Sequence, residues 1–300
     1  MGVMGRRPSL LLNILLLVLS VFTTSTAVIM IKASTVQPVL LASLRLWVAT
    51  LVLLPVFIRD YRRHQRAYGW HQFKASIVPG LVLAIHLSSW LVGARMTPTA
   101  NASLIVNLVP LATPFFLLWL ADEALTSREI IATGVALTGV VILTAADLNL
   151  SATYFVGDLV CFGSMLFYAL YMTLARRNRD APTVWLYLVP LYAIAAFVTL
   201  GMALFFVNPI QPYSRRNLLL ILGLGIVPTV LGHSLINRAM KYFRGQLVSI
   251  VNMTQFVFAG FMGYVFFGEV PHWTFFVASL LMGLSAWIVI GKKLRTKGMR

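Results

Sequence analysis

Apolar runs about twenty residues long recur from one end of this 300-residue chain to the other, and each can cross a hydrocarbon core ~30 Å thick as one helix. Lipid offers backbone N–H and C=O groups no partners, so such runs must satisfy them internally, as helices do. Hydropathy read in windows of about nineteen residues places ten helices, at 10–31, 37–58, 73–94, 99–120, 128–146, 154–175, 183–207, 217–237, 246–267 and 272–291. Short connections carrying Pro, Asn or Gly ("MTPTAN", "VNPIQPY") end several of them. Only 11% of residues are charged, against about 25% in soluble proteins, which leaves no room for a sizeable soluble domain. The expected fold class is an all-α membrane protein.

The formal charge of +16 would suggest nucleic acid in a soluble protein. Here the basic residues sit in short clusters between apolar runs, the pattern of loops beside a membrane, and no nucleic-acid partner is expected. With a cytoplasmic N-terminus, nineteen basic residues fall inside, from Arg6 and Arg7 through Arg59 and Arg176 to the tail at 292–300. Four fall outside (Lys32, Arg95, Arg215 and Arg216), and Arg45 lies within a helix. That asymmetry predicts both termini cytoplasmic, and the expected location is a bacterial inner membrane, crossed many times. Arg6, Arg7 and the small residues up to Ala27 also resemble a cleavable signal. The apolar stretch continues through Val28, Ile29 and Ile31 to full span length, which favours a retained first helix.

The two halves repeat one another. "SLIVNLVP" (Ser103 to Pro110) matches "VSIVNMTQ" (Val248 to Gln255) at a separation of 145, and "AIHLSSW" (Ala84 to Trp90) matches "LGHSLIN" (Leu231 to Asn237) at 147. "WLADEALTS" and "VFFGEVPHW" each put an acid at a helix end. Repeats of five helices, an odd number, enter the membrane in opposite senses. Inverted repeats around a central cavity mark secondary transporters, whose site lies between them. The expected division is 10–146 and 154–291, followed by a basic cytoplasmic tail at 292–300.

These residues resemble a known family. "HLSSWLVGARMTPTANASLIVNLVPLATPFF" with "ADEALTSREIIATGVALTGVVIL" is similar to the first EamA-type repeat of the drug/metabolite transporter superfamily. "VPTVLGHSLINRAMKYFRGQLVSIVNMTQFVFAGFMGYVFFGEVP" is similar to the second. The resemblance spans roughly 10–291 and implies ten helices around a cavity and transport of small metabolites, often export of amino acids. It fixes no substrate. Gln255 stands where many second repeats carry an acid-proline pair, so any role of that acid does not carry over.

The eight acids lie in loops or near helix ends, and only Asp158 enters a helix, by about a turn. A polycationic substrate would find no carboxylate near the midplane. Arg45 lies about two turns into the second helix, and a charge at bilayer depth costs ~2.5–3.5 kcal/mol. It either snorkels to headgroups or anchors a carboxylate or phosphate in the cavity. His86 and His233 hold matched positions, with Trp90 and Asn237 four residues on and so on the same helix face. Each imidazole either packs the bundle as hydrogen-bonded glue or borders the cavity. Inversion places His86 toward the outer gate and His233 toward the inner one, where either can carry protons in place of a carboxylate.

Asn107, Asn252 and Gln255 are expected to line the cavity, since a lipid-facing amide is costly. Pro79, Pro110 and Pro228 are expected to free backbone carbonyls. Of the aromatics, Trp90 and Tyr168 are the cavity candidates. The small residues of "TGVALTG" allow either internal packing or a weak homodimer beside the monomer.

The reading is a secondary transporter of small zwitterionic or anionic metabolites, an amino-acid or metabolite exporter working by alternating access in the bilayer. Import or exchange of nucleotide-like or sugar-like solutes is the alternative within transport. A membrane scaffold leaves the repeats unexplained. No HExxH, GxSxG or paired intramembrane acids suggest an enzyme. No cofactor or metal is implied: Cys161 is the one cysteine, and two separated histidines make a poor metal site.

Overall fold

The computed structural model describes residues 10–146 and 152–295. Arg6, Arg7, Asp147 and positions 296–300 of the expected tail lie outside the described residues. In chain order the elements are α1 (Leu10–Ala33), α2 (Pro38–Arg63), α3 (Trp70–Lys74), α4 (Ile77–Met96), α5 (Thr99–Val106), α6 (Val109–Ala121) and α7 (Ser127–Ala146). The second half comprises α8 (Ala152–Arg177), α9 (Val184–Ala203), α10 (Arg215–Leu224), a π-helical segment (Gly225–His233), α11 (Ser234–Tyr242), α12 (Gly245–Met253), α13 (Gln255–Phe267) and α14 (Trp273–Arg295). Four expected spans are thus composite: α3 with α4, α5 with α6, α10 through α11, and α12 with α13. Among the described residues, nine segments are long and apolar enough to cross a membrane. The remaining expected span is α7, 20 residues long.

Packing follows the repeat. α2 lies against α9, and α7 against α14. α4 packs on α8 as α1 packs on the π-helical segment and α11, and α6 packs on α8 as α1 packs on α13. Exchanging the two halves maps the α2–α9 and α7–α14 contacts onto themselves and the α8 contacts onto those of α1. Gly139 of α7 meets Ala278 and Leu281 of α14, so the small face of "TGVALTG" is used within the chain.

The polarity of the bundle is that of a protein solvated by lipid. Phe115, Trp119, Phe205 and Leu280 are exposed on the outside, while Ser20, Thr23, Thr24 and Ser25 are buried in α1. Their hydroxyls donate to carbonyls one turn back, as Thr24 does to Ser20 at 2.7 Å, which satisfies them without a second helix.

Two helix breaks sit at matched positions and lead into the interior. Pro110 has no N–H to donate to residue 106, and α5 stops at Val106, where the Asn107 N–H turns to Leu104 O (3.1 Å) and Ser103 O (3.3 Å). The second break falls at Thr254, whose N–H reaches Val251 O at 3.1 Å, with Gln255 rather than proline beside it. Pro79 causes no break. It stands in the first turn of α4, where no intrahelical donor is required.

Candidate substrate-binding site

The site begins with a distorted helix. Pro228 interrupts the hydrogen-bond ladder of the eighth span, and the chain winds as a π-helix from Gly225 to His233. The Thr229 hydroxyl donates to Leu224 O, five residues back, at 2.7 Å. Gly225 lets α2 come close: a Cβ there would stand 2.4 Å from the Val48 side chain and 3.0 Å from Arg45 O.

Across that contact, Arg45 is fully buried. Its Nε and Nη2 donate to Thr229 Oγ1 at 3.0 and 2.8 Å, and Nη1 has no acceptor among the described residues. Burial excludes the snorkelling alternative, because the guanidinium turns toward the π-helical segment of the other repeat.

Arg45 borders a small central pocket of about 30 Å³ lined also by Thr24, Ser25, His86, Trp90, Asn107, Tyr168, His233 and Gln255, with Val28, Leu87 and Val106 as apolar wall. Seven of the nine expected site residues therefore meet here. Among the described residues, none of the lining groups is Asp or Glu.

The pocket walls are locked to one another. The His86 ring lies flat on Tyr168 (centroids 4.6 Å apart, planes 10° apart), and His233 meets Tyr168 edge-on at 5.9 Å. His86 Nδ1 is 3.0 Å from Ser164 O and 2.9 Å from Ser164 Oγ, while His233 Nδ1 has no hydrogen-bond partner among the described residues. An amide ladder crosses the repeat boundary. Gln255 Nε2 donates to Asn252 Oδ1, Asn252 Nδ2 to Asn107 Oδ1 at 3.1 Å, and Asn107 Nδ2 to Ser103 O at 2.7 Å.

Three expectations are corrected. The imidazoles do not stand at two gates. Both reach Tyr168, because His86 sits at the middle of α4, and inversion about the midplane leaves a mid-helix residue near its original depth. Asn237 lies outside the central pocket. Its Nδ2 donates to Tyr171 OH at 2.6 Å and to His233 O at 2.7 Å, and it lines a smaller cleft with Tyr187 and Lys241. Four residues carry it ~6 Å along the helix, far enough to leave the pocket. Asn252, fully buried, stands behind the lining as the middle rung of the ladder.

A matched acid stands at each end of the bundle. The chain leaves α6 at Asp122 (φ 49°) and α13 at Gly268 (φ 69°), both left-handed. The next residues are Glu123 and Glu269, whose N–H groups reach Leu117 O (3.1 Å) and Gly263 O (3.3 Å). Glu123 accepts from Gly245 N at 2.8 Å and from Arg176 Nε at 2.7 Å. Glu269 accepts from Thr99 Oγ1 at 2.8 Å and pairs with Lys32 at 3.5 Å.

Every partner is the repeat-equivalent of its counterpart, yet the two latches differ in tightness. The Glu123 end is reinforced by Arg244, which donates to Glu129 at 2.7 Å and to Ala124 O. The hydrogen bond to Glu129 lifts the Arg244 guanidinium above its usual value, against desolvation. At the Glu269 end, Asp158 accepts from Thr97 Oγ1 at 2.6 Å, so Asp158 belongs to that mouth and not to the pocket. Thr229 and the two glutamate latches were not among the expected site residues. A Thr directly after a mid-span Pro was the signal for the first, and the 146-residue spacing of the glutamates was the signal for the second.

Inverted repeats, two broken helices and a polar pocket between them define a multi-pass membrane transporter. The chain belongs to the EamA-like transporter family, whose model matches it twice, at residues 11–145 and 155–291. An uncharacterized transporter of Archaeoglobus fulgidus is 27% identical over 251 residues, covering 81% of this chain and 84% of that one. A solved crystal structure shares the fold at a TM-score of 0.74, with 19% identity, over 94% of this chain and 98% of its own. As a member of this family the protein transports and is not an enzyme.

Proposed function

We propose that this transporter moves small metabolites bearing an acidic group, zwitterions included, by alternating access, with the Arg45 guanidinium as the substrate's anchor. The observation that carries the reading is a permanently charged group buried at the pocket with, among the described residues, no acceptor for Nη1 and no acid in the pocket lining. Leaving a buried charge uncompensated is costly, so an acidic ligand gains where a cation loses. The amide ladder and the Arg45–Thr229 contact both join the repeats, so movement of one repeat against the other reshapes the site.

Export is the direction to test first, with both termini cytoplasmic and the Glu123 latch on the inner side. The basic-residue asymmetry and the family resemblance support that choice, and amino acids and related metabolites are the first solutes to try. A metabolite panel comparing cells with and without the overexpressed protein tests it: solutes with an acidic group should leave faster, and toxic analogues should become tolerated. No change across amino acids, purines and organic acids contradicts the substrate class.

Proton coupling falls to His233, whose Nδ1 lacks a hydrogen-bond partner among the described residues. A pH series in proteoliposomes should flatten in His233→Gln. An unchanged profile there and in His86→Gln refutes the coupling.

A further inference from the structure

Among the described residues, the central pocket carries one permanent charge and no carboxylate to receive a second cation. Arg45 is the lining residue ionised at every physiological pH. The described acids lie at the ends of the bundle, Glu123 and Glu129 on Arg176 and Arg244, and Glu269 on Lys32. An ammonium group brings three N–H donors that need acceptors. The amide oxygens of Asn107 and Asn252 already receive N–H groups from the ladder. The acceptors that remain are uncharged: hydroxyl lone pairs, as on Thr24 and Ser25, whose protons are committed to Ser20 O and Phe22 O, and the unpartnered Nδ1 of His233.

Charge balance gives the same answer. Arg45 and a monoanion sum to zero, whereas a zwitterion leaves one positive charge in a desolvated pocket and a dianion leaves one negative charge. The rest of the wall suits a flat, uncharged body. Tyr168 with the stacked His86, Trp90 and the aliphatic groups of Val28, Leu87 and Val106 border the same space, and aromatic rings favour stacked or edge-on contact with another ring.

We infer that the pocket is a monocarboxylate site, which takes a small flat carboxylate with an uncharged body and discriminates against the α-amino acid of the same skeleton. This rests on the reading of Arg45 as the anchor and narrows it. The carboxylate meets Nη1 of Arg45, Thr229 holds the guanidinium from behind, and the body lies against the aromatic wall.

Calorimetric titration of the full chain in nanodiscs, with empty nanodiscs subtracting lipid partition, tests it with three probes of one skeleton: 3-phenylpropionate, phenylalanine and phenylethylamine. The expected result is 3-phenylpropionate binding at least tenfold tighter than phenylalanine, with phenylethylamine weakest. Arg45→Gln should weaken 3-phenylpropionate at least tenfold, and Arg45→Lys should weaken it less. The comparison of probes on the unaltered protein stands whether or not the variants fold. Phenylalanine binding as tightly as 3-phenylpropionate, with loss in Arg45→Gln, overturns the monocarboxylate preference and leaves the anchor standing. Binding of neither carboxylate, or 3-phenylpropionate binding unaffected by Arg45→Gln, overturns both.

Discussion

Arg45 and Thr229, 184 residues apart and in opposite repeats, share one hydroxyl: Thr229 Oγ1 accepts from Nε and Nη2 of Arg45 and donates to Leu224 O. The π-helical turn makes this possible, since it directs the threonine hydroxyl to a carbonyl five residues back. Thr229→Val keeps the shape and removes the acceptor. A hydrogen bond to a charged group contributes about 1.5–3 kcal/mol, so transport of an acidic solute in proteoliposomes should fall roughly 10- to 100-fold, with Thr229→Ser near the unaltered rate. Equal rates for Val and Ser would show that the guanidinium is held some other way.

The approach of α2 to the π-helical segment should tolerate no added side chain at Gly225. In Gly225→Ala the new Cβ would have to displace Val48 and the backbone of Arg45 itself. Overpacking of this kind costs about 1–3 kcal/mol. A lower melting temperature together with weaker binding of an acidic solute is expected. A melting temperature and affinity both unchanged would mean the contact is looser than described.

The two glutamate latches should differ in what they contribute to stability. The Glu123 side chain is 8% exposed and Glu269 37% exposed. Breaking a buried pair by removing one partner costs about 3–5 kcal/mol, whereas exposed pairs contribute about 0–1 kcal/mol. In detergent, Glu123→Gln should lower the melting temperature clearly and Glu269→Gln only slightly. The reverse order would contradict the asymmetry.

The amide ladder should behave as one unit. Asn252→Ala deprives Asn107 Oδ1 and Gln255 Nε2 of partners, and each buried polar group left unsatisfied costs about 1–3 kcal/mol. Adding Asn107→Ala should then cost less than it does alone. A double-mutant cycle on thermal stability should show coupling of about 0.5–3 kcal/mol; strict additivity would rule the ladder out.

What could be read from the sequence followed from simple rules. Span length and lipid's lack of hydrogen-bond partners marked the helices, and the shared Ile-Val-Asn singled out Asn107 and Asn252, though as lining residues and not as a pair bonded to each other. Depth was harder to read. Residues four apart share a face, so Asn237 followed His233 into the expected site, yet the extra turn takes it to Tyr171. His86 and His233 were assigned to separate gates because a linear sequence records direction of entry but not a residue's distance from the midplane. Pro228 marked the distorted eighth span in the sequence, whereas the break at Thr254, with Gln255 in place of a proline, carries no such mark. Arg45 was visible as an anomaly, but its partner became visible only when the repeats were placed against each other.

Uptake into proteoliposomes tests most directly whether Arg45 is the group that holds the substrate. Labelled acidic solutes should be followed with the unaltered protein, Arg45→Ala and Arg45→Lys side by side. The prediction is transport by the unaltered protein, its loss in Arg45→Ala and its partial retention in Arg45→Lys. Transport of the same solute by Arg45→Ala at the unaltered rate would contradict the account.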